Sequence, residues 1–281
     1  MPIRPRRSML YVPGDKTRAL EKARTLPVDA IIIDLEDAVA PERKVDARDI
    51  VAQALSGDDY GPRELLLRVG GIDVAEDFAL AAGLPLDGVV LPKVESGPMV
   101  AQAAERIALP IWCMIETPLG VLRAADIAAA PRMAGLIAGT NDLNKELHAR
   151  HRPDRATLLT SLSLIVLAAR AHGLAAIDGV HLDLDDDAGL EAVCIQGRDM
   201  GFDGKTLIHP ATIDIANRVF APEPDAVDTA RRIVAAWADA RAKQLGVARI
   251  DGRMVEQLHV DEAERLIAIA DAIGAREYDP Q

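Results

Sequence analysis

The feature that most constrains this chain is one unit repeated along its length. In each unit a short apolar run ends in polar or turn residues, and a stretch with helical spacing follows. The runs start 22 to 41 residues apart, which leaves room for a crossover helix after each. Near-continuous Val, Ile and Leu is typical of strands covered on both faces, as in parallel sheets. The eight runs are SMLYVPG (8–14), AIIIDLED (30–37), ELLLRVG (64–70), GVVLPKVE (88–95), IWCMIET (111–117), GLIAGTND (135–142), AIDGVHLD (176–183) and GKTLIHP (204–210).

The repetition predicts an α/β fold, a (β/α)8 TIM barrel that spans residues 1–221 as the catalytic domain. An open doubly wound sheet is the alternative, although no glycine-rich dinucleotide fingerprint opens the first unit. The longest interval, between the sixth and seventh runs, predicts an extra helix, with residues 153–173 forming most of it. Two helical stretches predict that residues 222–281 form a C-terminal helical extension, which acts as a lid or an oligomerisation arm.

Composition narrows the function classes. The formal net charge of −12 argues against a general nucleic-acid binder, although a local cluster of Lys and Arg is enough to bind phosphate. No apolar run reaches the ~18 residues of a membrane span, and no signal-peptide core follows the basic N-terminus. Cys113 and Cys194 lie in apolar or helix-like stretches and are expected to be buried free thiols. We therefore expect a cytoplasmic protein that binds neither nucleic acid nor membranes.

The candidate site residues are the polar side chains that end the runs, because a TIM barrel builds its active site at the carboxyl ends of its strands. Many carboxylates with one arginine indicate a site for a hard cation such as Mg²⁺, which takes one or two protein carboxylates. Glu116 and Asp142 are the best ligand pair, since they end consecutive runs and adjacent strands lie about 4.8 Å apart. The full set is Asp34, Glu36, Asp37, Arg68, Lys93, Glu95, Glu116, Asn141, Asp142, Asp183 and His209.

Each of these residues also has a simpler interpretation. Glu116 and Asp142 could each cap a helix or pair with a surface cation. His209 is either an acid–base group or a histidine packed against the backbone. The acidic cluster, which we define as Asp34, Glu36 and Asp37, could orient metal-bound water or Arg68. The alternative for the acidic cluster is a set of ion pairs with Arg43, Lys44 and Arg48.

A basic group lies in the first unit. Arg18 and Lys22 are four residues apart, so they share one helix face that suits phosphates at the barrel mouth. A solvated basic face is the alternative. Three further arginines would add to the same positive field: Arg4, Arg6 and Arg7.

Ordered motifs along nearly the whole chain resemble one family. They are RSMLYVPGDKTRALEKA (7–23), IIIDLEDAVAPERKVDAR (31–48), LLLRVG (65–70), VVLPKVES (89–96), MIETPLGV (114–121), IAGTNDL (137–143), AIDGVHLD (176–183) and MGFDGKTLIHPATI (200–213). Together they are similar to the citrate lyase β-subunit-like branch of the HpcH/HpaI aldolase superfamily, which includes malyl-CoA and citramalyl-CoA lyases. The resemblance implies a TIM barrel, a homotrimer or hexamer, and Mg²⁺-dependent chemistry at a C–C bond beside a thioester.

The resemblance also assigns roles by motif. It implies that Glu116 and Asp142 are the metal ligands and that Arg68 contacts substrate. Relatives often have Glu where Asn141 stands, which leaves the ligand itself intact. Glu256 occupies the position of an aspartate that a neighbouring subunit contributes in several relatives, and it is one methylene longer. The site for the thioester carrier maps onto Tyr11, Arg18, Lys22, Leu182 and Asp183.

The resulting hypothesis is a Mg²⁺-dependent lyase. It would reversibly cleave a 3-hydroxy-acid thioester of CoA or of an acyl carrier protein into an acyl thioester, such as acetyl-CoA, and a 2-keto acid. Two alternatives remain open: a thioester hydrolase in which Glu256 activates water, and a non-catalytic scaffold subunit of a lyase complex. The residues expected to carry catalysis are Arg68, Glu116, Glu36, Asp37 and Glu256.

Overall fold

The computed structural model describes residues 4–57, 59–243 and 247–277. These residues form two compact units. One unit is Arg6–Phe220, and the other contains the described residues that precede Arg6 and follow Phe220. Within the described ranges, no helix combines the length and the apolar character that crossing a membrane requires.

The first unit is a closed barrel of eight parallel strands in chain order, which confirms the predicted TIM barrel. Each strand starts at most two residues from the start of a predicted run. The strands end sooner than the runs, because the polar residues that close each run lie in loops or first helical turns. The strands are β1 (Ser8–Pro13), β2 (Ala30–Asp34), β3 (Glu64–Arg68), β4 (Gly88–Leu91), β5 (Ile111–Ile115), β6 (Met133–Ala138), β7 (Ala175–Asp178) and β8 (Gly204–Leu207).

Alternate strand residues build two apolar layers. On β2, Ile31 and Ile33 pack outward against the helices, whereas Ile32 packs inside the barrel with Leu66 and Trp112. The surrounding helices are α1 (Thr17–Ala23), α2 (Lys44–Gly57), α3 (Ala75–Ala82), α4 (Gly97–Arg106), α5 (Pro118–Leu122), α6 (Ala124–Ala128), α7 (Thr140–Glu146), α8 (Leu159–Ala171), α9 (Asp187–Met200) and α10 (Ile213–Phe220).

The long interval between β6 and β7 contains two helices, so the predicted extra helix is present. The prediction was wrong about its position. Within residues 153–173, α8 packs on β6, β7 and α6 and is the ordinary crossover helix, because Leu162, Ile165 and Ala169 give it a buried face. The extra helix is α7, which begins directly after β6.

The second unit has its own small core. It contains α11 (Pro224–Ala242), an antiparallel hairpin of β9 (Ala248–Ile250) and β10 (Arg253–Val255), and α12 (Gln257–Glu277). The turn residues Asp251 and Gly252 have φ values of 49° and 81°, as a two-residue hairpin turn of type I′ requires. The core consists of Ala240, Ala248, Val255 and Val260, with Trp237 packed against it.

Candidate active site

A buried arginine–carboxylate pair lies at the carboxyl end of the barrel. Asp34 and Arg68 end neighbouring strands in register. Arg68 Nε donates to Asp34 Oδ1 at 2.7 Å, and Arg68 Nη2 donates to Asp34 Oδ2. Burial alone would lower the pKa of Arg68, but its hydrogen bonds and charge interaction with Asp34 more than offset this and raise it. Arg68 therefore stays cationic at the mouth.

Below the guanidinium lie an aromatic ring and a sulfur. The Arg68 guanidinium carbon is 4.9 Å from the centroid of the Tyr11 ring. The Tyr11 hydroxyl is 3.6 Å from Met114 Sδ, and Arg68 Nη1 is 3.5 Å from the same sulfur. Burial raises the pKa of Tyr11, so its hydroxyl stays protonated. Because a thioether is a weak acceptor, a substrate oxygen could readily take over this Arg68 donor.

The acidic cluster continues along the loop after β2. Glu36 Oε2 is 3.1 Å from Arg68 Nη1, and Glu36 Oε1 pairs with Lys93 Nζ. Asp37 is more peripheral, with a side chain 60% exposed and Oδ1 3.8 Å from Lys93 Nζ. Burial raises the pKa of Glu36, while its hydrogen bond to Lys93 raises the pKa of the lysine. The cluster thus surrounds Arg68 and Lys93.

The alternative partners of the acidic cluster bind elsewhere. Arg43 pairs with Asp46, and Arg48 pairs with Asp77. Lys44 Nζ donates to two backbone carbonyls, which are those of residues 35 and 36. The interpretation of the cluster as ion pairs with these three cations is therefore wrong, because each cation has a nearer acceptor.

Glu116 has one engaged and one unengaged oxygen. The residue is 1% exposed, and Oε1 accepts the backbone N–H of Lys93 at 2.7 Å. Oε2 is buried and has no hydrogen-bond partner among the described residues. Burial, together with the charge of Asp142, raises the pKa of Glu116 to about 7 although the hydrogen bond from Lys93 N–H acts to lower it. A buried carboxylate oxygen without a donor is costly unless a cation or a proton occupies it.

The space around Glu116 depends on a glycine. A Cβ atom at Gly139 would lie 2.3 Å from Glu116 Cβ and 2.6 Å from Oε2. Three residues later Asp142, which is half-buried, lies in the first turn of α7. Glu116 and Asp142 could hold a hard divalent cation, with water and substrate oxygens completing the shell. Within the described ranges, no group of three or more His, Cys, Asp or Glu side chains is arranged to hold a metal ion.

The remaining predicted residues of the first unit lie outside this contact network. Arg18 and Lys22 are exposed on α1, one turn apart. Leu182 and Asp183 are exposed in the loop between β7 and α9. His209 Nδ1 accepts the N–H of residue 211, so the backbone satisfies it as the simpler interpretation expected, but the residue is exposed rather than packed.

Glu256 belongs to the second unit. It lies between β10 and α12, and its backbone N–H donates to His259 Nδ1 at 3.1 Å. Its side chain is half-buried.

Two of the N-terminal arginines are not at the mouth. Arg6 and Arg7 precede β1, so they lie at the amino end of the barrel. Arg6 pairs with Glu64 at the start of β3, and Arg7 pairs with Asp29 just before β2. The expectation that these two arginines add to the basic field at the mouth is wrong, because strand direction places them at the opposite end.

Sequence reasoning placed Lys93 among the candidate site residues without giving it a function, and it did not place Gly139 or Met114 in the site. Lys93 ends a run in a Pro-Lys pair, but its contacts depend on a backbone φ of 51° that no sequence pattern gives. Gly139 directly precedes the polar residues that close the sixth apolar run, and this position is the sequence signal that could have identified it. Met114 resembles any other core methionine in the sequence.

A family model and two curated relatives match this sequence. The sequence model of the HpcH/HpaI aldolase/citrate lyase family matches residues 7–210. A (3S)-malyl-CoA thioesterase from Cereibacter sphaeroides is 51% identical over 275 residues, covering 96% of each chain. The citrate lyase subunit beta of Leuconostoc mesenteroides subsp. cremoris is 34% identical over 283 residues, covering 95% of this chain and 94% of that one.

A solved structure extends the likeness to three dimensions. The crystal structure of CitE from Mycobacterium tuberculosis, in complex with magnesium, acetoacetate and coenzyme A, matches with a TM-score of 0.76 and 31% identity. The match covers 95% of this chain and 98% of that chain. Magnesium and a CoA group therefore both occur in a relative with this fold, in line with the cofactors that the motifs imply. The chain belongs to the HpcH/HpaI aldolase/citrate lyase family of enzymes.

Proposed function

We propose that this protein is a Mg²⁺-dependent hydrolase of a 3-hydroxy-acyl-CoA thioester, with malyl-CoA as the first substrate to test. The observation that carries the proposal is the buried Glu116 carboxylate near Asp142 and Arg68, because its Oε2 has no donor in the part of the chain that the structure describes. The choice of hydrolysis rests on the thioesterase that is 51% identical over 96% of both chains.

Glu116 and Asp142 would hold the cation. Mg²⁺ bound there would act as a Lewis acid and template for the oxygens of the substrate. Glu116 presents Oε2 because Oε1 is already bound by Lys93 N–H. Gly139 keeps the adjacent space clear.

Arg68 would orient the substrate and stabilise negative charge. Asp34 holds two of its nitrogens, so the guanidinium is fixed rather than free to rotate. Its Nη1 donor would pass from Met114 Sδ to the oxygen on which charge develops, and fixed donors of this kind stabilise such charge effectively. Glu36 and Asp37 would act through Arg68 and Lys93.

The carrier of the acyl group would lie along the first unit and the loop after β7. Arg18 and Lys22 offer two exposed cations on one face of α1 for phosphates. Tyr11, Leu182 and Asp183 complete the set that the family motifs imply. CoA is favoured over an acyl carrier protein because CoA is present in the solved relative.

The C-terminal extension from residue 222 would supply Glu256. We propose that the extension covers a barrel mouth within a homotrimer or hexamer and that Glu256 acts as the base that activates the hydrolytic water. The N–H of Glu256 is fixed by His259, which holds the start of α12 in place. Loss of Glu256 would then stop hydrolysis specifically.

A carbon–carbon lyase is the second candidate. The likeness to citrate lyase subunit beta over 95% of the chain favours it. In that reaction the C3 hydroxyl loses its proton, the C2–C3 bond breaks, and a 2-keto acid and an acyl thioester form. The same cation site and Arg68 would serve both reactions, so products rather than site geometry separate them. A non-catalytic scaffold would turn over neither way.

The deciding experiment follows two products at once. Purified protein with Mg²⁺ is given malyl-, citramalyl- and citryl-CoA, and free thiol and 2-keto acid are measured in the same reaction. Hydrolysis releases thiol without keto acid, whereas lyase cleavage releases keto acid without thiol. Glu256→Gln should abolish thiol release. Absence of both products, or turnover that EDTA leaves unchanged, would overturn the metal-enzyme proposal.

A further inference from the structure

We propose that Lys93 is a positioning residue with two separable functions, one in its backbone and one in its ammonium group. Its backbone N–H fixes the orientation of Glu116, and its ammonium fixes Glu36 beside Arg68. The inference rests on the proposed function, because it takes Glu116 as a cation ligand.

The backbone function follows from an unusual conformation. Lys93 has a φ of 51°, in the left-handed region that non-glycine residues rarely adopt. In this conformation, two residues after β4 ends, its N–H points to the neighbouring strand end and donates to Glu116 Oε1 at 2.7 Å. The donor occupies one carboxylate oxygen, so Oε2 is the atom left for a cation. A strained backbone conformation persists only where the surrounding structure enforces it, and such residues cluster at functional sites.

The ammonium function concerns the other side of the mouth. Lys93 Nζ pairs with Glu36 Oε1, and Arg68 Nη1 lies 3.1 Å from Glu36 Oε2. Although the Lys93 side chain is 53% exposed, this contact holds its charged end over the buried carboxylate. Each Glu36 oxygen therefore has its own cationic partner, Oε1 the ammonium of Lys93 and Oε2 the guanidinium of Arg68.

The charges then balance in two groups. The buried pair of Arg68 and Asp34 is neutral, and Glu36 would add one uncompensated negative charge beside it. The ammonium of Lys93 supplies the matching positive charge, while the charge of Asp37, whose side chain is 60% exposed, is solvated. The two proposed metal ligands keep their two negative charges, which match a divalent cation. Without the ammonium, Glu36 Oε1 would lose its cation and could also turn to Arg68, so that both oxygens of Glu36 would compete for the donors that substrate needs.

Two substitutions separate these functions. Lys93→Gly removes the ammonium but adopts a positive φ without strain. Lys93→Val removes the ammonium and also strongly disfavours the left-handed conformation, because β-branched residues are outliers there. Lys93→Arg keeps a cation and is the conservative variant.

The first readout is Mn²⁺ binding to substrate-free protein, measured by electron paramagnetic resonance. Lys93→Gly should bind Mn²⁺ within about threefold of wild type, whereas Lys93→Val should bind about tenfold more weakly, the low end for partners that orient a metal ligand. The second readout is steady-state kinetics. Lys93→Gly should lower kcat about 30-fold with KM within about threefold, and Lys93→Arg should recover at least about a third of the wild-type kcat.

Arg132 provides the matched control for backbone strain. It has a φ of 63°, is exposed, and immediately precedes β6 at the other end of the barrel. Arg132→Val should lower the unfolding midpoint and leave Mn²⁺ affinity unchanged. Arg132→Gly should leave both the unfolding midpoint and Mn²⁺ affinity unchanged. Equal loss of Mn²⁺ affinity in Arg132→Val and Lys93→Val would overturn the backbone function, since general strain would then explain both.

The remaining outcomes are equally decisive. Wild-type Mn²⁺ affinity in Lys93→Val overturns the backbone function, and wild-type kcat in Lys93→Gly overturns the ammonium function. Failure of the proposed function has a different signature, namely a wild-type protein without turnover or Mn²⁺ binding. The inference fails separately when wild type binds and turns over but the Lys93 variants match it.

Discussion

An arginine guanidinium lies over an aromatic ring at each end of the barrel interior, but the surroundings of the two arginines differ. At the amino end the Arg6 guanidinium lies 4.9 Å from the ring of Trp112, and at the carboxyl end Arg68 lies 4.9 Å from the ring of Tyr11. Arg6 binds both oxygens of Glu64, at 2.5 and 2.9 Å. The buried Trp112 Nε1 has no partner in the described ranges, but it is an uncharged donor and attracts no cation.

The carboxyl end is not closed in this way. Arg68 is bound by Asp34, yet Glu116 retains a buried oxygen to which no described residue donates. An arginine over an aromatic ring is therefore common to both ends and does not by itself distinguish a functional site. What marks the carboxyl end as the candidate site is a surplus of buried acceptors, because acceptors without donors can bind a cation.

Removing the surplus acceptor should have the largest effect. We expect Glu116→Gln to lower kcat/KM about 1000-fold, or about 4 kcal/mol, because a neutral amide binds Mg²⁺ poorly. The fold should survive, since Gln resembles the protonated form of a carboxyl with a pKa of about 7. Kinetics and circular dichroism test this, with Asp142→Asn as the companion variant. Full activity in both variants would show that these carboxylates bind no catalytic metal.

The next largest effect is expected at Asp178, a buried carboxylate whose two oxygens both have cationic partners, unlike those of Glu116. Arg155 Nη1 lies 2.7 Å from both oxygens of Asp178, and Lys205 Nζ lies 3.1 Å from Oδ2. Asp178→Asn should cost about 3 kcal/mol of unfolding free energy at pH 7, because Lys205 is left buried without its counter-charge. Urea unfolding measures it.

The same variant predicts a pH dependence. Burial raises the pKa of Asp178, but the charges of Lys205 and Arg155 and their hydrogen bonds lower it by more. The pKa of Asp178 in the folded protein therefore lies below the ordinary value of 3.8. Its stabilisation is therefore fully present above that value and is lost as pH falls through the folded pKa. The stability gap between wild type and Asp178→Asn should narrow below about pH 4. A gap that stays constant down to pH 3 would contradict this assignment.

Two glycines on β6 or at its end provide a matched pair for the two ends of the barrel. A Cβ at Gly139 would lie 2.3 Å from Glu116 Cβ, and one at Gly135 would lie 2.2 Å from the Trp112 ring. Gly139→Ala should weaken Mn²⁺ binding about 30-fold, or about 2 kcal/mol. Gly135→Ala should instead lower the unfolding free energy by about 2 kcal/mol with unchanged Mn²⁺ affinity. Equal changes of Mn²⁺ affinity and of unfolding free energy in the two variants would contradict the difference between the two ends.

The smallest effect is expected at the closed end. Glu64→Gln replaces a charged acceptor of Arg6 by a neutral one, and the Arg6 side chain is 23% exposed, so solvent compensates in part. We expect a loss of about 1 kcal/mol in unfolding free energy and a kcat/KM within about twofold of wild type. A larger loss of activity than of stability would mean that the amino end also contributes to function.

Most of the fold could be predicted from the sequence. The eight apolar runs determine the strands, because a run of Val, Ile and Leu is stable only when both faces of the strand are covered. Polar or turn residues then mark where each strand leaves the barrel wall. The same logic identified Glu116, Asp142 and Arg68, because polar residues at strand ends collect at one end of a barrel. Which segment of the β6–β7 interval became the crossover helix was misjudged, because amphipathicity does not say which strand a helix covers.

Only the tertiary structure decided the pairings at the mouth. The sequence allowed the acidic cluster to bind Arg43, Lys44 and Arg48, and the structure turned it to Arg68 and Lys93. Which residue types end the strands could be read from the local pattern, since buried strand positions require apolar side chains and polar ones follow where the strand leaves the core. Register, strand direction and one left-handed backbone residue decided which atoms meet, because these depend on long-range packing that no local pattern records.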